Sequence, residues 1–283
     1  MALQLDNFGF SEQDYNLFAQ KVQTSFGVRL TEYKVDQMRR RISTLAKQAG
    51  FDNFITYFAA LRSDSSLLSS FLDHMTINVT ELMRNPDLFE DMAKSVLPGI
   101  IERRKGAPIS IWSAGCSYGA EAYTVAMLMA EVAPMQQYRV RGTDIDLAAL
   151  AKANQAVFSK ADMNGVSPAR RAKHFIQIDE NNFMANPVFR RNISFNKHDM
   201  LADDYPADSY DLILCRNVVI YFNDEAKERI YRNFWKALRP DGVLFVGGTE
   251  RLGDFASLKY KPLRPFFYQA DKSVARPQFQ RAA

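Results

Sequence analysis

Between Ile109 and Asp146 the chain runs in an order that few folds can accommodate. Ile109 to Ser113 is an apolar strand pattern, and Ala114-Gly115-Cys116-Ser117-Tyr118-Gly119 is a loop of mostly small residues. A helical stretch follows from Ala120 to Val132, and then a second strand pattern from Arg139 that ends in carboxylates at Asp144 and Asp146. Strand, glycine-containing loop, helix and acid-ended strand describe the first half of a nucleoside-binding α/β sheet.

Which nucleoside is bound follows from the helix start. A dinucleotide fold puts a pyrophosphate on the free N–H groups there, but Glu121 lies in the first helical turn and would repel it. The loop also reads Gly-x-x-x-Gly, not Gly-x-Gly-x-x-Gly, so the dinucleotide fingerprint fails on spacing. A nucleoside with a cationic, phosphate-free arm fits, and S-adenosylmethionine is the common cofactor of that description. Asp144 would take its ribose hydroxyls, and Gly115 would let the backbone approach its amino-acid arm. An acid in a first helical turn also has a plain reason, since the helix dipole favours it; Asp144 at the next strand end tips the reading toward the cofactor.

With 283 residues, 47% of them hydrophobic, the chain can bury one large or two smaller cores. No stretch approaches the ~18 uninterrupted apolar residues of a membrane span, and Met1 to Asp6 lacks the basic and apolar regions of a signal peptide. A cytoplasmic protein that does not insert into the membrane is expected. Cys116 and Cys215 are the two cysteines, in apolar or small-residue settings that suit reduced thiols. His74, His174 and His198 stand singly, so no metal site is expected. A net charge of +4 is too small to argue for nucleic acid.

From Ser11 to about His74 apolar residues recur at helical spacing (Tyr15, Phe18, Val22 and Phe26; Met38, Ile42 and Leu45; Phe54, Tyr57, Phe58 and Leu61; Leu67, Leu68, Phe71 and Leu72), which predicts about four helices. Another helix should run from Pro86 toward Arg104. Strands are expected at Ile109 to Ser113, Arg139 to Thr143, Ile193 to Asn196, Tyr210 to Cys215 and Gly242 to Gly247, alternating with helices as in a mainly parallel sheet. Two aromatic-rich strand patterns between Ser257 and Ala270 would close it as an antiparallel hairpin. The polar, Asn-rich stretch from Met163 to Asn192 has apolar pieces too short for a covering helix and reads as a small β insertion, about 163–195. The resulting division is a helical domain (1–75), a linker and helix contributing to the cofactor site (76–107), an α/β domain (108–271) and a disordered tail (272–283).

Four segments should converge at the carboxyl ends of the strands: Thr76 to Arg84, Ala114 to Tyr123, Thr143 to Asp146, and Cys215 to Phe222. Their strings Asn78-Val79-Thr80-Glu81-Leu82-Met83-Arg84 and Cys215-Arg216-Asn217-Val218-Val219-Ile220-Tyr221-Phe222 resemble those of the chemotaxis receptor methyltransferases, the CheR family, and the resemblance runs from about residue 10 to 270. It implies a class I S-adenosylmethionine-dependent methyltransferase fold, Rossmann-like, behind the helical domain. It also implies cofactor contacts from Asn78, Thr80, Arg84, Glu121, Asp144, Asp199, Met200, Arg216 and Asn217, with Arg84 and Tyr221 facing the transferred methyl group and the acceptor. Where the family has Gly-Glu-Glu-Pro-Tyr, this chain has Gly119-Ala120-Glu121-Ala122-Tyr123, keeping the second acid only.

The implied reaction, methylation of chemoreceptor glutamates to methyl esters with S-adenosylhomocysteine as product, suits these residue types. A free glutamate, pKa ~4.3, is ionised at neutral pH, so the acceptor needs no general base. The site must align and desolvate the carboxylate, a positioning task worth roughly 7–11 kcal/mol. Arginine offers a carboxylate a planar fork, and a phenol can hydrogen-bond to it.

In the helical domain, Tyr33 to Lys47 carries Lys34, Arg39, Arg40, Arg41 and Lys47 against one acid, Asp36. With Met38, Ile42 and Leu45 facing inward, most of the basic groups should project outward. The family resemblance makes Arg39, Arg40, Arg41 and Lys47 a docking surface for the acidic helical coil of a chemoreceptor cytoplasmic domain; a merely solvated face is the alternative. No aromatic platform suggests nucleic acid. A monomer is expected. Two other functions fit the same residues: a methyltransferase of this fold acting on RNA or a small metabolite, and a non-catalytic S-adenosylmethionine-binding module. The absence of glycine from Phe175 to Phe195, where tail-docking family members carry a Gly-containing extension, argues against docking on a receptor-tail peptide.

Overall fold

Among the described residues up to Met75 the chain forms four α-helices: α1 (Glu12–Phe26), α2 (Val35–Gln48), α3 (Phe54–Ser63) and α4 (Ser65–Met75). Their ends follow local chemistry. The Ser11 hydroxyl accepts the Asp14 N–H at the start of α1, Gly27 closes it at φ 75°, and the Asn53 side chain accepts the Thr56 N–H of α3 at 2.8 Å. The faces predicted from spacing meet in an aromatic core in which the Phe18 ring lies 5.1 Å from Phe54 and 6.1 Å from Phe71.

The computed structural model describes residues 9–75 and 78–273; Met1 to Asp6, Thr76, Ile77 and most of the expected tail lie outside the described residues. The packed chain runs further than expected, because Lys272 is bonded to Asp208 and lies 4.9 Å from the Trp235 ring. Two compact units result. The first joins the described residues before Asn78 to Val219–Arg229; the second takes Asn78–Val218 and the chain from Ile230.

The return of Val219–Arg229 to the helical unit was not expected from sequence, which keeps these residues with the sheet. Tyr33 and Phe222 form an antiparallel bridge with rings 4.9 Å apart. The Lys34 N–H donates to the Tyr221 carbonyl at 3.0 Å and the Asn223 N–H to the Glu32 carbonyl at 2.9 Å. Such pairings span nearly 190 positions and leave no periodic trace.

The second unit opens with α5 (Pro86–Asp91), one π turn (Met92–Val96) and α6 (Leu97–Arg104), so the helix expected here is present with a π turn inside it. Then come β1 (Ile109–Ala114), α7 (Ala120–Val132), β2 (Tyr138–Asp144), α8 (Leu147–Gln155), β3 (Val157–Ser159), α9 (Pro168–His174), β4 (Phe175–Gln177), β5 (Asn182–Ala185), α10 (Pro187–Arg190), β6 (Ile193–Lys197), β7 (Tyr210–Cys215), α11 (Asp224–Ala237), β8 (Leu238–Val246), β9 (Tyr260–Arg264) and β10 (Phe267–Ala270). The main sheet has the order β6-β2-β1-β7-β8-β10-β9. Pairs among β6, β2, β1, β7 and β8 are parallel, and β10 pairs antiparallel with both β8 and β9. This is the expected mainly parallel sheet with an antiparallel hairpin at its end. From β1 the chain goes to β2 on one side and later reaches β7 on the other, so the loops after β1 and β7 part at a switch point.

The insertion is a separate three-stranded sheet, β3-β5-β4, antiparallel throughout. It starts at Val157, before the expected boundary near 163, because Phe158 is 1% exposed and stacks edge-on to Tyr123 in a strand too short for periodicity to reveal. It contains a helix, α9, whose signal lay in Ser167-Pro168: the serine caps the Arg170 N–H at 3.3 Å. The strand expected at Ile193 to Asn196 is β6, paired with β2, so the insertion ends before Ile193 and not at about 195. Among the described residues no helix is long and apolar enough to cross a membrane.

Candidate functional site

The loop after β1 is built on left-handed backbone: φ is 73° at Gly115, 50° at Ser117 and 89° at Gly119. The Gly115 and Cys116 N–H groups both donate to the Thr143 carbonyl, at 2.8 and 2.9 Å, which ties the loop to the end of β2. The requirement for glycine at 115 has a source in the protein itself. A Cβ there would lie 2.6 Å from the Val218 side chain, so the loops after β1 and β7 touch.

Ser117, which sequence reasoning did not single out, organises the acidic end of the site. Its N–H donates to Asp144 Oδ2 at 2.7 Å and its hydroxyl to Asn78 Oδ1 at 2.7 Å. Asn78 in turn donates through Nδ2 to Asp146 Oδ2 at 2.6 Å, and the Asp146 N–H donates to Asp144 Oδ1 at 3.0 Å. Asp146 also caps α8 through the Ala149 N–H at 2.9 Å. Each Asp144 oxygen thus accepts at least one backbone N–H, and a carboxylate has about four lone-pair sites to offer donors. Burial raises the Asp144 carboxyl above its ordinary range, and the N–H groups of Asp146 and Ser117 pull it back.

Glu121 accepts the Ser113 hydroxyl at 2.7 Å on Oε1, and Arg216 Nη1 lies 3.7 Å from its Oε2. Burial raises the Glu121 carboxyl, opposed by Arg216. The Arg216 side chain is 2% exposed. Its Nη2 donates to the Arg84 carbonyl and to Asn85 Oδ1, both at 2.9 Å, and its guanidinium sits 4.8 Å from the Phe89 ring and 4.7 Å from the Phe245 ring. Arg216, a cofactor candidate from the sequence, thereby ties the Arg84 turn to the first turn of α7.

That turn is strained on both sides of Arg84, with φ 57° at Met83 and 61° at Asn85. Arg84 Nη1 donates to the Val79 carbonyl at 2.8 Å, one of five guanidinium donors. The carbonyl of Thr80 accepts from the Tyr118 hydroxyl, which also lies 2.9 Å from Asp162 Oδ1. Asp199 and Met200 follow β6: the Asp199 carboxylate caps its own turn through the Leu201 N–H at 2.8 Å, and the Met200 carbonyl accepts from Tyr205 at 2.9 Å. Asn217 is left-handed at φ 60°, and its Oδ1 is buried without a hydrogen-bond partner. Tyr221, unlike the other catalytic and cofactor candidates, lies in the helical unit, on a turn at Val219–Tyr221.

The basic helix α2 corrects a further expectation. Arg40 and Lys47 are exposed, but Arg39 and Arg41 are half-buried. Arg39 donates to the Phe10 carbonyl at 3.4 Å, and burial lowers the Arg41 guanidinium, with Tyr221 and Tyr33 opposing. Three consecutive residues step around a helix by about 100° each, so 39, 40 and 41 cannot share one outward face.

A switch-point sheet whose second strand ends in a carboxylate, with an acid where a dinucleotide would need open N–H groups, defines an S-adenosylmethionine-dependent methyltransferase. The residues fit that cofactor: Asp144 suits a diol, Glu121 suits a cation, and Asn217 Oδ1 is an acceptor still lacking its donor. Residues 78–262 match the family described as "CheR methyltransferase, SAM binding domain" and residues 13–76 its "all-alpha domain", and the chain belongs to the CheR methyltransferase family. It is 35% identical over 257 residues to the chemotaxis protein methyltransferase of Listeria monocytogenes, covering 91% of this chain and 97% of that one. It is 27% identical to the proteins of the same name from Borreliella burgdorferi, covering 90% of this chain and 93% of that one, and from Salmonella typhimurium, covering 86% and 85%. It is therefore a methyltransferase of chemotaxis.

Proposed function

We propose that the protein methylates glutamate side chains of chemoreceptor cytoplasmic domains, as a protein-glutamate O-methyltransferase. The observation that carries the reading is Arg84: it stands between left-handed Met83 and Asn85, its carbonyl is held by Arg216, and one donor of its guanidinium is engaged by Val79. Its planar fork suits a carboxylate acceptor as it suits few other nucleophiles.

S-adenosylmethionine, when bound, supplies an electrophilic methyl group on a sulfonium. Asp144 accepts the ribose hydroxyls, and Asn78 holds Asp146 and Ser117 around it. Glu121 faces the cationic end, kept in place by Ser113 and Arg216, so Arg216 acts through Glu121 and Arg84. Thr80, Gly115, Asp199, Met200 and Asn217 complete the cofactor contacts. Arg84 aligns the acceptor carboxylate, and Tyr221 hydrogen-bonds to it. The carboxylate attacks as it stands, so no side chain has to remove a proton. In this reading Arg40 and Lys47 are the leading docking groups for an acidic receptor coil, and the protein acts in the cytoplasm as a monomer.

Incubation of the protein with receptor-containing membranes and S-adenosylmethionine labelled in the methyl group tests this. Label that is released as methanol by mild alkali, and is reduced in Asp144→Ala, is expected of a glutamyl ester. Alkali-stable label would mean another acceptor, and no label above background would remove the transferase reading for receptors.

A further inference from the structure

Glu250, in the loop after β8, is 4% exposed and was not among the residues any motif pointed to. Its carboxylate gathers three backbone donors. Oε1 accepts the Val218 N–H at 2.9 Å, and Oε2 accepts the Gly247 N–H at 2.9 Å and the Asn217 N–H at 2.5 Å. Two successive amides converging on one anion form the kind of concavity that binds a free anion elsewhere; here the protein supplies its own. The arrangement is close enough that a Cβ on Gly247 would lie 2.4 Å from Oε2.

The turn so held is Asn217-Val218. Asn217 occupies the left-handed region, φ 60°, which glycine would adopt without strain. An asparagine kept there implies use of its side chain, and its Oδ1 is buried with no partner, a condition that native proteins rarely tolerate without a ligand or water to satisfy it. Val218 is fixed too: its side chain sits where a Cβ of Gly115 would be, 2.6 Å away. The carboxylate therefore sets both the direction of an unsatisfied acceptor and the gap between the two loops that flank the switch point.

We propose that Glu250 is a positioning residue for the cofactor: by binding the Asn217 and Val218 amides it holds Asn217 so that its side-chain oxygen accepts an N–H or O–H of S-adenosylmethionine. The proposal rests on the reading of Asn217 as a cofactor contact. Glu250 itself touches only protein in this scheme. Glutamine at 250 would keep the volume but turn an amide NH2 toward at least one backbone N–H, and aspartate would keep the charge but fall short of the three donors.

Calorimetric titration with S-adenosylhomocysteine tests it on wild type, Asn217→Gly, Glu250→Gln and the double variant, with melting curves to establish that each is folded. Each single change is expected to weaken binding at least tenfold, and the double to bind no more weakly than the worse single, because both remove the same contact. Amide-proton NMR should show the Asn217 and Val218 signals moving upfield in Glu250→Gln, as they lose a charged acceptor. Glu250→Asp, expected between wild type and Glu250→Gln in affinity, serves if Glu250→Gln does not fold. Wild-type affinity in Asn217→Gly overturns the contact reading and the proposal with it. A weak Asn217→Gly beside a folded Glu250→Gln or Glu250→Asp of wild-type affinity overturns the proposal alone, as do losses that multiply in the double variant.

Discussion

Arg216 and Glu121 form a buried ion pair, 3.7 Å apart, with the guanidinium against the Phe89 and Phe245 rings. A charge placed there cannot be exchanged for a neutral group without consequence for its partner. Glu121→Gln would leave the buried Arg216 cation without its paired carboxylate, and the loss of one partner of such a pair typically costs about 3–5 kcal/mol. A fall in melting temperature is therefore expected along with weaker S-adenosylhomocysteine binding; an unchanged melting curve would show that the pair contributes no net stability.

Asp144→Ala should weaken S-adenosylhomocysteine binding by about 1–3 kcal/mol, the usual consequence of leaving hydrogen-bonding groups without partners. The same change strips the Ser117 and Asp146 N–H groups of their acceptor, so the loop after β1 should exchange its amide protons faster. Calorimetry and hydrogen exchange on the one variant separate the two effects, and undiminished affinity would take Asp144 out of the site.

Acidity should act on folding and binding in opposite senses. Burial raises the Asp144 carboxyl, so folding favours its protonated form. The ionised group opposes folding at neutral pH, and this penalty is relieved as pH falls through the raised pKa toward the ordinary one. A ligand needing the carboxylate should lose affinity over the same interval. Titrations carried downward from neutral pH, in buffers of different ionisation heat, are expected to show weakening affinity and growing proton release on binding. Proton uptake would reverse the assignment.

Arg84→Lys keeps the charge and loses the fork. Methyl transfer should slow at least about tenfold, roughly 1.4 kcal/mol in the barrier, with S-adenosylhomocysteine affinity changed less. Near wild-type turnover would mean that guanidinium geometry is irrelevant to the acceptor.

On α2 the three arginines should behave differently. Arg40→Glu is expected to raise the KM for receptor without loss of stability, an effect that fades as the Debye length contracts from about 10 Å at 0.1 M salt to about 3 Å at 1 M. Arg39→Glu and Arg41→Glu should lower the melting temperature as well, since their side chains are half-buried. If Arg40→Glu methylates receptor as wild type does at every salt concentration, docking lies elsewhere.

Asp144 and Glu121 were legible because each stands at a place that local pattern defines, a strand end and a first helical turn. The helical faces of α1 to α4 and the five main strands were legible for the same reason. Ser117, Tyr118 and Glu250 were not, since each matters through a group far along the chain: 27 positions for Ser117 to Asp144, 38 for Tyr118 to Thr80 and 33 for Glu250 to Asn217. Their partners are mostly backbone atoms, which a sequence does not mark. The exposure of the α2 arginines failed for a related reason. A row of like charges reads as a surface, and only the packing of Phe10, Tyr33 and Tyr221 around the helix distinguishes its sides.

The bridge between Tyr33 and Phe222 bears on how this protein can be taken apart. The helical unit is discontinuous: its last piece, Val219–Arg229, lies in the primary sequence between β7 and the second half of α11. A gene cut near codon 77 would yield a carboxyl-terminal fragment that carries this piece without its packing partners, leaving Phe222, 5% exposed in the whole chain, open to water. Fragments divided there are expected to be poorly soluble, and a chimaera that exchanges helical domains between relatives would have to exchange residues 219–229 with them.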